Sequence, residues 1–146
     1  MDYNDFIVYN AKDQILGRLA SRVAKDLIKG KKVAVVNARM AVITGSKRSI
    51  LEKYKRRLGL QEKENPEHSP YWSRRPDMLF KRIVRGMLPY RKAHGKAAYK
   101  RLRVFQLVPE ELKNFKYEDF KTKDLKSIYV NHITLEELST LLGYEK

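Results

Sequence analysis

Nine lysine or arginine side chains and no aspartate or glutamate fall within residues 81–105, KRIVRGMLPYRKAHGKAAYKRLRVF. Cations at that density do one kind of chemistry: they bind polyanions through charge-assisted hydrogen bonds. The run is still patterned as something folded. Leu79, Phe80, Ile83, Val84, Met87 and Leu88 recur as adjacent pairs every four residues, the stripe of an amphipathic helix. Lys81, Arg82 and Arg85 are left on the opposite face. Pro89 lacks a backbone donor and disfavours helical geometry at Leu88, so the helix is expected to end there and a basic connection with Arg91 and Lys92 to follow. A second helical piece over 93–102 should turn Ala97, Ala98 and Leu102 inward and Lys96, Tyr99, Lys100 and Arg103 outward, with His94 and Arg101 in the same basic surroundings.

A solvated charged face is the alternative reading, and it is favoured where signs mix. Here the sign is uniform. Like charges at helical neighbour spacing cost a few tenths of a kcal/mol per pair, and no acid within the run offsets them. A partner that supplies negative charge is the simpler explanation. Gly86 and Gly95 could let a phosphate approach the backbone closely, or could serve packing and capping.

A second cationic set lies upstream. Ser46 is placed to cap a helix over 46–58 in which Ile50, Leu51, Tyr54 and Leu58 share one face. Lys47, Arg48, Lys53, Arg56 and Arg57 then lie largely outside, with Glu52 a partial partner. Residues 60–76 hold three prolines and no period, which reads as a surface loop carrying Arg74 and Arg75. Tyr71 and Trp72 in that loop could stack on unpaired bases or pin the loop to the core.

Around these sets the chain shows an α/β order. FIVY at 6–9 reads as a buried strand. Ile15, Leu16, Leu19, Ala20, Val23, Ala24, Leu27 and Ile28 form a helix through nearly four turns, with Asp13 placed to cap its start and Gly30 its end. VAVV at 33–36 is a second buried strand. Strand, helix, strand predicts a right-handed βαβ unit in a parallel sheet. Further short strands are expected at 41–44, 102–108 and, at an edge, 127–130. A helical turn is expected over 109–112, and the connection bearing Phe115, Tyr117 and Phe120 should pack on the domain. Thr134 and Glu137 form a capping box for a terminal helix with Leu135, Leu138, Leu141 and Leu142 inward and Gly143 at its end.

The formal charge of +15 over 146 residues is uneven: 26 basic and 9 acidic residues up to position 109, 6 and 8 beyond it. One domain over 1–146 is expected, with 110–146 a near-neutral extension packed on it. A pI near 10 with cations clustered on helix faces marks a nucleic-acid binder. No apolar run approaches a membrane span, and the first five residues lack a secretory pattern, so a cytoplasmic protein is expected. Zero cysteines exclude disulfides and Cys-based zinc sites. Nucleotide cofactor sites fare no better. There is no G-x-G-x-x-G, and Gly45-Ser46-Lys47 fails as a P-loop because Met40 stands at its first glycine and Ser46 splits the Gly-Lys pair. His68, His94 and His132 have no metal-ligand spacing. A ribonuclease with His94 as general base is the enzymatic alternative, and a free-standing DNA-compacting protein the other; no acid lies near His94 in sequence, and phosphate binding accounts for it more simply. The expectation is a non-enzyme with neither cofactor nor small-molecule substrate.

Val84-Arg85-Gly86-Met87-Leu88-Pro89, five residues, Gly95-Lys96, five more, and Leu102-Arg103-Val104-Phe105 resemble the signature of the L13 family of large-subunit ribosomal proteins. Gly17-Arg18-Leu19-Ala20-Ser21, Val36-Asn37-Ala38 and Ile43-Thr44-Gly45 resemble its earlier segments, so the likeness covers most of the first 105 residues. Leu107 stands where the family pattern often has Gly, Asp or Asn. The C-terminal part is similar to the archaeal and eukaryotic branch. The resemblance implies a three-layer αβα fold with a small, mainly parallel four-stranded sheet and added basic helices. It also implies a structural role in the large subunit, with large-subunit rRNA and neighbouring ribosomal proteins as partners.

Overall fold

The computed structural model describes residues 3–118 and 130–145. Strand β1 (Phe6–Asn10), helix α1 (Leu16–Ile28) and strand β2 (Lys32–Val36) form the expected parallel unit, paired from Phe6↔Lys32 to Asn10↔Val36. Its period-2 alternation sorts the apolar residues to the two faces. Tyr9, Val33 and Val35 join the larger core under α1, whereas Val8, Ala34 and Val36 join a smaller one with Tyr3 and Leu112. Because both faces are covered, β2 needs no polar position after Lys32, hence its continuous VAVV.

Strand β3 (Val42–Thr44) and helix α2 (Lys47–Leu58) follow, then helices α3 (Pro76–Met87) and α4 (Ala93–Lys100), and strands β4 (Leu102–Val104) and β5 (Tyr117–Glu118). The main sheet runs β4-β2-β1-β5 and is parallel throughout. Helices α1 and α3 cover one face. A 3-10 turn over Glu110–Leu112 and the segment around Tyr3 contribute to the other, giving a three-layer α/β architecture.

Strand β6 (His132–Thr134) pairs antiparallel with β3, and helix α5 (Leu135–Leu141) follows it. The 41–44 strand therefore exists but belongs to a separate two-stranded sheet. Of the expected edge strand at 127–130, residues 127–129 lie outside the described residues, as does Phe120, and Val130 is not in a strand. The 102–108 strand stops at Val104, and the chain leaves the sheet toward exposed Leu107.

The helix ends follow their local chemistry with two exceptions. Gly30 (φ 89°) and Gly143 (φ 86°) adopt the left-handed geometry that closes a helix, and in both cases the next amide donates back to the third residue from the helix end: Lys31 N to Asp26 O at 3.2 Å and Tyr144 N to Ser139 O at 2.9 Å. Thr134 Oγ1 accepts from Glu137 N at 3.2 Å, so the hydroxyl half of the expected box is present. Asp13 does not cap α1. It takes a left-handed conformation (φ 58°) in the turn before Ile15, the residue preceding the helix, which offers no side-chain cap. Ser46 occupies the N-cap of α2 without a side-chain hydrogen bond.

Candidate nucleic-acid interface

Helix α2 buries Ile50 and Tyr54, with Leu51 and Leu58 partly covered, and its charged side faces outward as the stripe requires. Lys53, Arg48 and Arg56 are exposed. Arg57 is not simply outside. Its guanidinium lies 5.2 Å from the Tyr54 ring centroid and 4.8 Å from that of Trp72, and the Arg82 guanidinium lies 3.8 Å from the same indole. Arg57, Trp72 and Arg82 thus form a ladder that ties α2, the long loop and α3 together by cation–π contact. Arg82 Nη1 also donates to the Tyr71 carbonyl at 2.7 Å. The loop is pinned at half-buried Trp72, while Tyr71 is 83% exposed.

On α3, Leu79, Phe80 and Val84 are buried, which fixes where the cations of that helix point. Met87 is the member of the stripe that stays exposed, near Ile28 of α1. Arg85 lies 4.1 Å from the Tyr90 ring, Tyr90 meets Tyr99 edge-on at 5.4 Å, and Lys81 Nζ sits 5.6 Å from the Tyr99 ring. Tyr99 is therefore half-buried rather than outward. Burial and the neighbouring Arg103 charge push the Lys81 ammonium below its usual pKa, partly offset by Asp77. Burial, Arg85 and Arg57 do the same to Arg82. Burial is the larger cause in both; the smaller part, due to neighbouring cations, is the part that a bound anion offsets.

Arg91, Lys92 and His94 are exposed on and beside the connection, and Lys96 and Lys100 are exposed on α4. The connection is held by close backbone approach: a Cβ on Gly95 would sit 2.1 Å from the Pro89 carbonyl oxygen. Gly95 is a packing residue. Gly86 is not, since a Cβ there would meet nothing within 4 Å. Ala97, expected inward, is exposed, because buried Gly95 and Ala98 define the inner side of α4 instead.

Four of the expected site residues are committed elsewhere. Arg75 makes a two-pronged pair with Asp77, Nε to Oδ1 at 3.2 Å and Nη2 to Oδ2 at 3.0 Å. Arg101 turns back to donate from Nη2 to the Leu27 carbonyl at 2.8 Å, closing the end of α1. Arg103 donates to the Lys100 and Leu102 carbonyls at the end of α4. Lys47 pairs with Glu137 of α5. Arg74 is exposed in the loop and lies toward Gly143, whose Cβ would come 3.6 Å from its Nη1.

Sequence reasoning missed Tyr90. It lies between Pro89 and Arg91, and an aromatic flanked by cations was the available signal. With Trp72, Arg82, Arg85, Gly86, Leu88, Pro89, Arg91 and Lys92 it lines a cavity of about 640 Å³. Among the described residues no group of three or more His, Asp or Glu side chains converges as a metal site would require, and no helix is long and apolar enough to cross a membrane.

Comparison with known proteins identifies the family. The family described as "Ribosomal protein L13" matches residues 4–124. The chain is 43% identical to the Archaeoglobus fulgidus protein named large ribosomal subunit protein uL13, over 97% of this chain and 90% of that one. It is 38% identical to the Methanopyrus kandleri protein of that name, over 99% and 91%, and 42% identical to that of Sulfurisphaera tokodaii, over 94% of each. Spanned almost end to end by such relatives, this chain belongs to the ribosomal protein L13 family.

Proposed function

We propose that this chain is a structural constituent of the large ribosomal subunit, in the cytoplasm, where it binds large-subunit rRNA and supports assembly of the subunit. The observation that carries the reading is the pair of basic helices α2 and α3 locked together through Arg57, Trp72 and Arg82. Fixed guanidinium and ammonium groups replace diffuse counterions where RNA segments converge, favouring one packing of those segments. Arg48, Lys53, Arg56, Arg57, Arg74, Lys81, Arg82, Arg85, Arg91, Lys92, His94, Lys96 and Lys100 are the groups assigned to RNA, with Tyr99 supporting Lys81. Lys47, Arg75, Arg101 and Arg103 chiefly hold the scaffold. Shape and backbone contacts outweigh base reading, since the deep groove of A-form RNA is closed to side chains.

Binding, not turnover, is the role, and residues 1–146 act as one domain. Within the near-neutral region beyond 110, α5 packs on α3 and offers Leu141, exposed rather than inward, to neighbouring ribosomal proteins. Engagement of about eight to ten phosphates gives a slope of roughly −6 to −9 in log affinity against log salt. A nearly flat slope, equal binding to duplex DNA, or absence from sedimenting large subunits contradicts the reading.

A further inference from the structure

The cavity bounded by Trp72, Arg82, Arg85 and Tyr90 has features that backbone phosphate binding does not need. Its charged lining residues, Arg82, Arg85, Arg91 and Lys92, are all cations, and no ion pair joins them to an acid among the described residues. Its remaining wall is apolar and aromatic: Trp72, Leu88, Pro89 and Tyr90. A phosphate gains nothing from such a wall, whereas a nucleobase does. Two stacked pairs, Arg82 on Trp72 at 3.8 Å and Arg85 on Tyr90 at 4.1 Å, hold guanidinium groups in place. Guanidinium planes and aromatic rings are the surfaces on which proteins stack splayed-out bases.

The size is suitable, because pockets for small ligands run from about 300 to 1,000 Å³ and this one is about 640 Å³. Gly86 gives independent support. Gly95 is explained from within by Pro89; Gly86, in the last turn of α3, has no neighbour that forbids a side chain, yet it leaves the cavity wall bare.

We propose that this cavity receives one unpaired RNA nucleotide, with its base against the Trp72–Arg82 and Tyr90–Arg85 walls and its phosphate toward Arg91 and Lys92. The proposal rests on the rRNA-binding reading and deepens it: one nucleotide is taken out of stacked RNA and held, so the protein registers a bulge or loop as well as a phosphate surface.

Trp72 is the one tryptophan in the chain, so its emission reports the cavity directly. The intact protein is titrated with a single-stranded adenosine pentanucleotide, the same strand with an abasic central ribose, duplex RNA, and a poly-glutamate peptide. The expected result is saturable quenching by the pentanucleotide, with binding about ten-fold weaker and quenching lost for the abasic strand. Gly86→Leu, whose helical content is checked by circular dichroism, should abolish the quenching by filling the cavity. Equal affinity for normal and abasic strands without quenching, alongside tight duplex binding, overturns the pocket and leaves the rRNA reading intact. Failure to bind any RNA overturns both. Quenching by the peptide equal to that by the pentanucleotide also overturns the proposal.

Discussion

Arg85 and Arg101 belong to the same basic run but to different parts of the molecule's physics. Arg85 is exposed beside Tyr90 and Arg82, whereas Arg101 closes α1 at the Leu27 carbonyl. Arg101→Ala is expected to lower stability in urea unfolding by about 1–2 kcal/mol, the worth of a charge-assisted hydrogen bond, with RNA affinity changed less than in Arg85→Ala. The two glycines separate in the same way. Gly95→Ala forces a Cβ into the Pro89 carbonyl and should cost about 1–3 kcal/mol as overpacking. Gly86→Ala should be neutral or stabilising by up to about 0.5 kcal/mol in thermal unfolding. At this scale the sequence was legible in charge and silent in direction. A run of like cations shows that a polyanion is wanted, but whether an arginine faces out or turns back to a carbonyl depends on a helix end more than seventy positions away.

Elements built from nearby residues were the legible ones. The β1-α1-β2 unit follows from its periods, and the ends of α1 and α5 follow from Gly30 and Gly143. The β3–β6 pairing was not legible, because three-residue strands carry almost no period and the two lie far apart in sequence. Trp72 was ambiguous for a related reason: its two guanidinium partners come from different helices. Helix α5 seals this part of the core through Leu138, which is fully buried. Leu138→Ala should therefore cost about 2–5 kcal/mol in chemical denaturation. Tyrosines tie other elements to the body. Burial chiefly raises the phenol pKa of Tyr9, Tyr54 and Tyr99 above the ordinary 10.0. A group raised on folding contributes fully below pH 10 and loses its contribution as pH climbs through the folded value. Lys81, lowered on folding, acts oppositely and stabilises as pH rises toward 10.5. As pH climbs past 10 the contribution of the three phenols is lost, so phenolate absorbance and loss of helical ellipticity should rise together there.

Across the whole molecule the charge of +15 opposes compaction while it recruits RNA. Added salt should therefore act with two signs. Raising sodium chloride from about 50 to 200 mM is expected to raise the melting temperature by screening self-repulsion and to weaken RNA binding by about 10³- to 10⁵-fold through counterion competition. Melting curves and filter binding on one preparation test both.

Strand order also has a consequence for synthesis. The inner strands β1 and β2 are made early, but the edges β4 and β5 and the partner of β3 are supplied only from beyond residue 101. A nascent chain halted near residue 110 would carry both cationic helices without β5, β6 or α5 to complete its two sheets. It should be protease-sensitive and sticky toward any nucleic acid in reach. Release-dependent gain of protease resistance, followed on stalled chains of graded length, would show how late this molecule becomes itself.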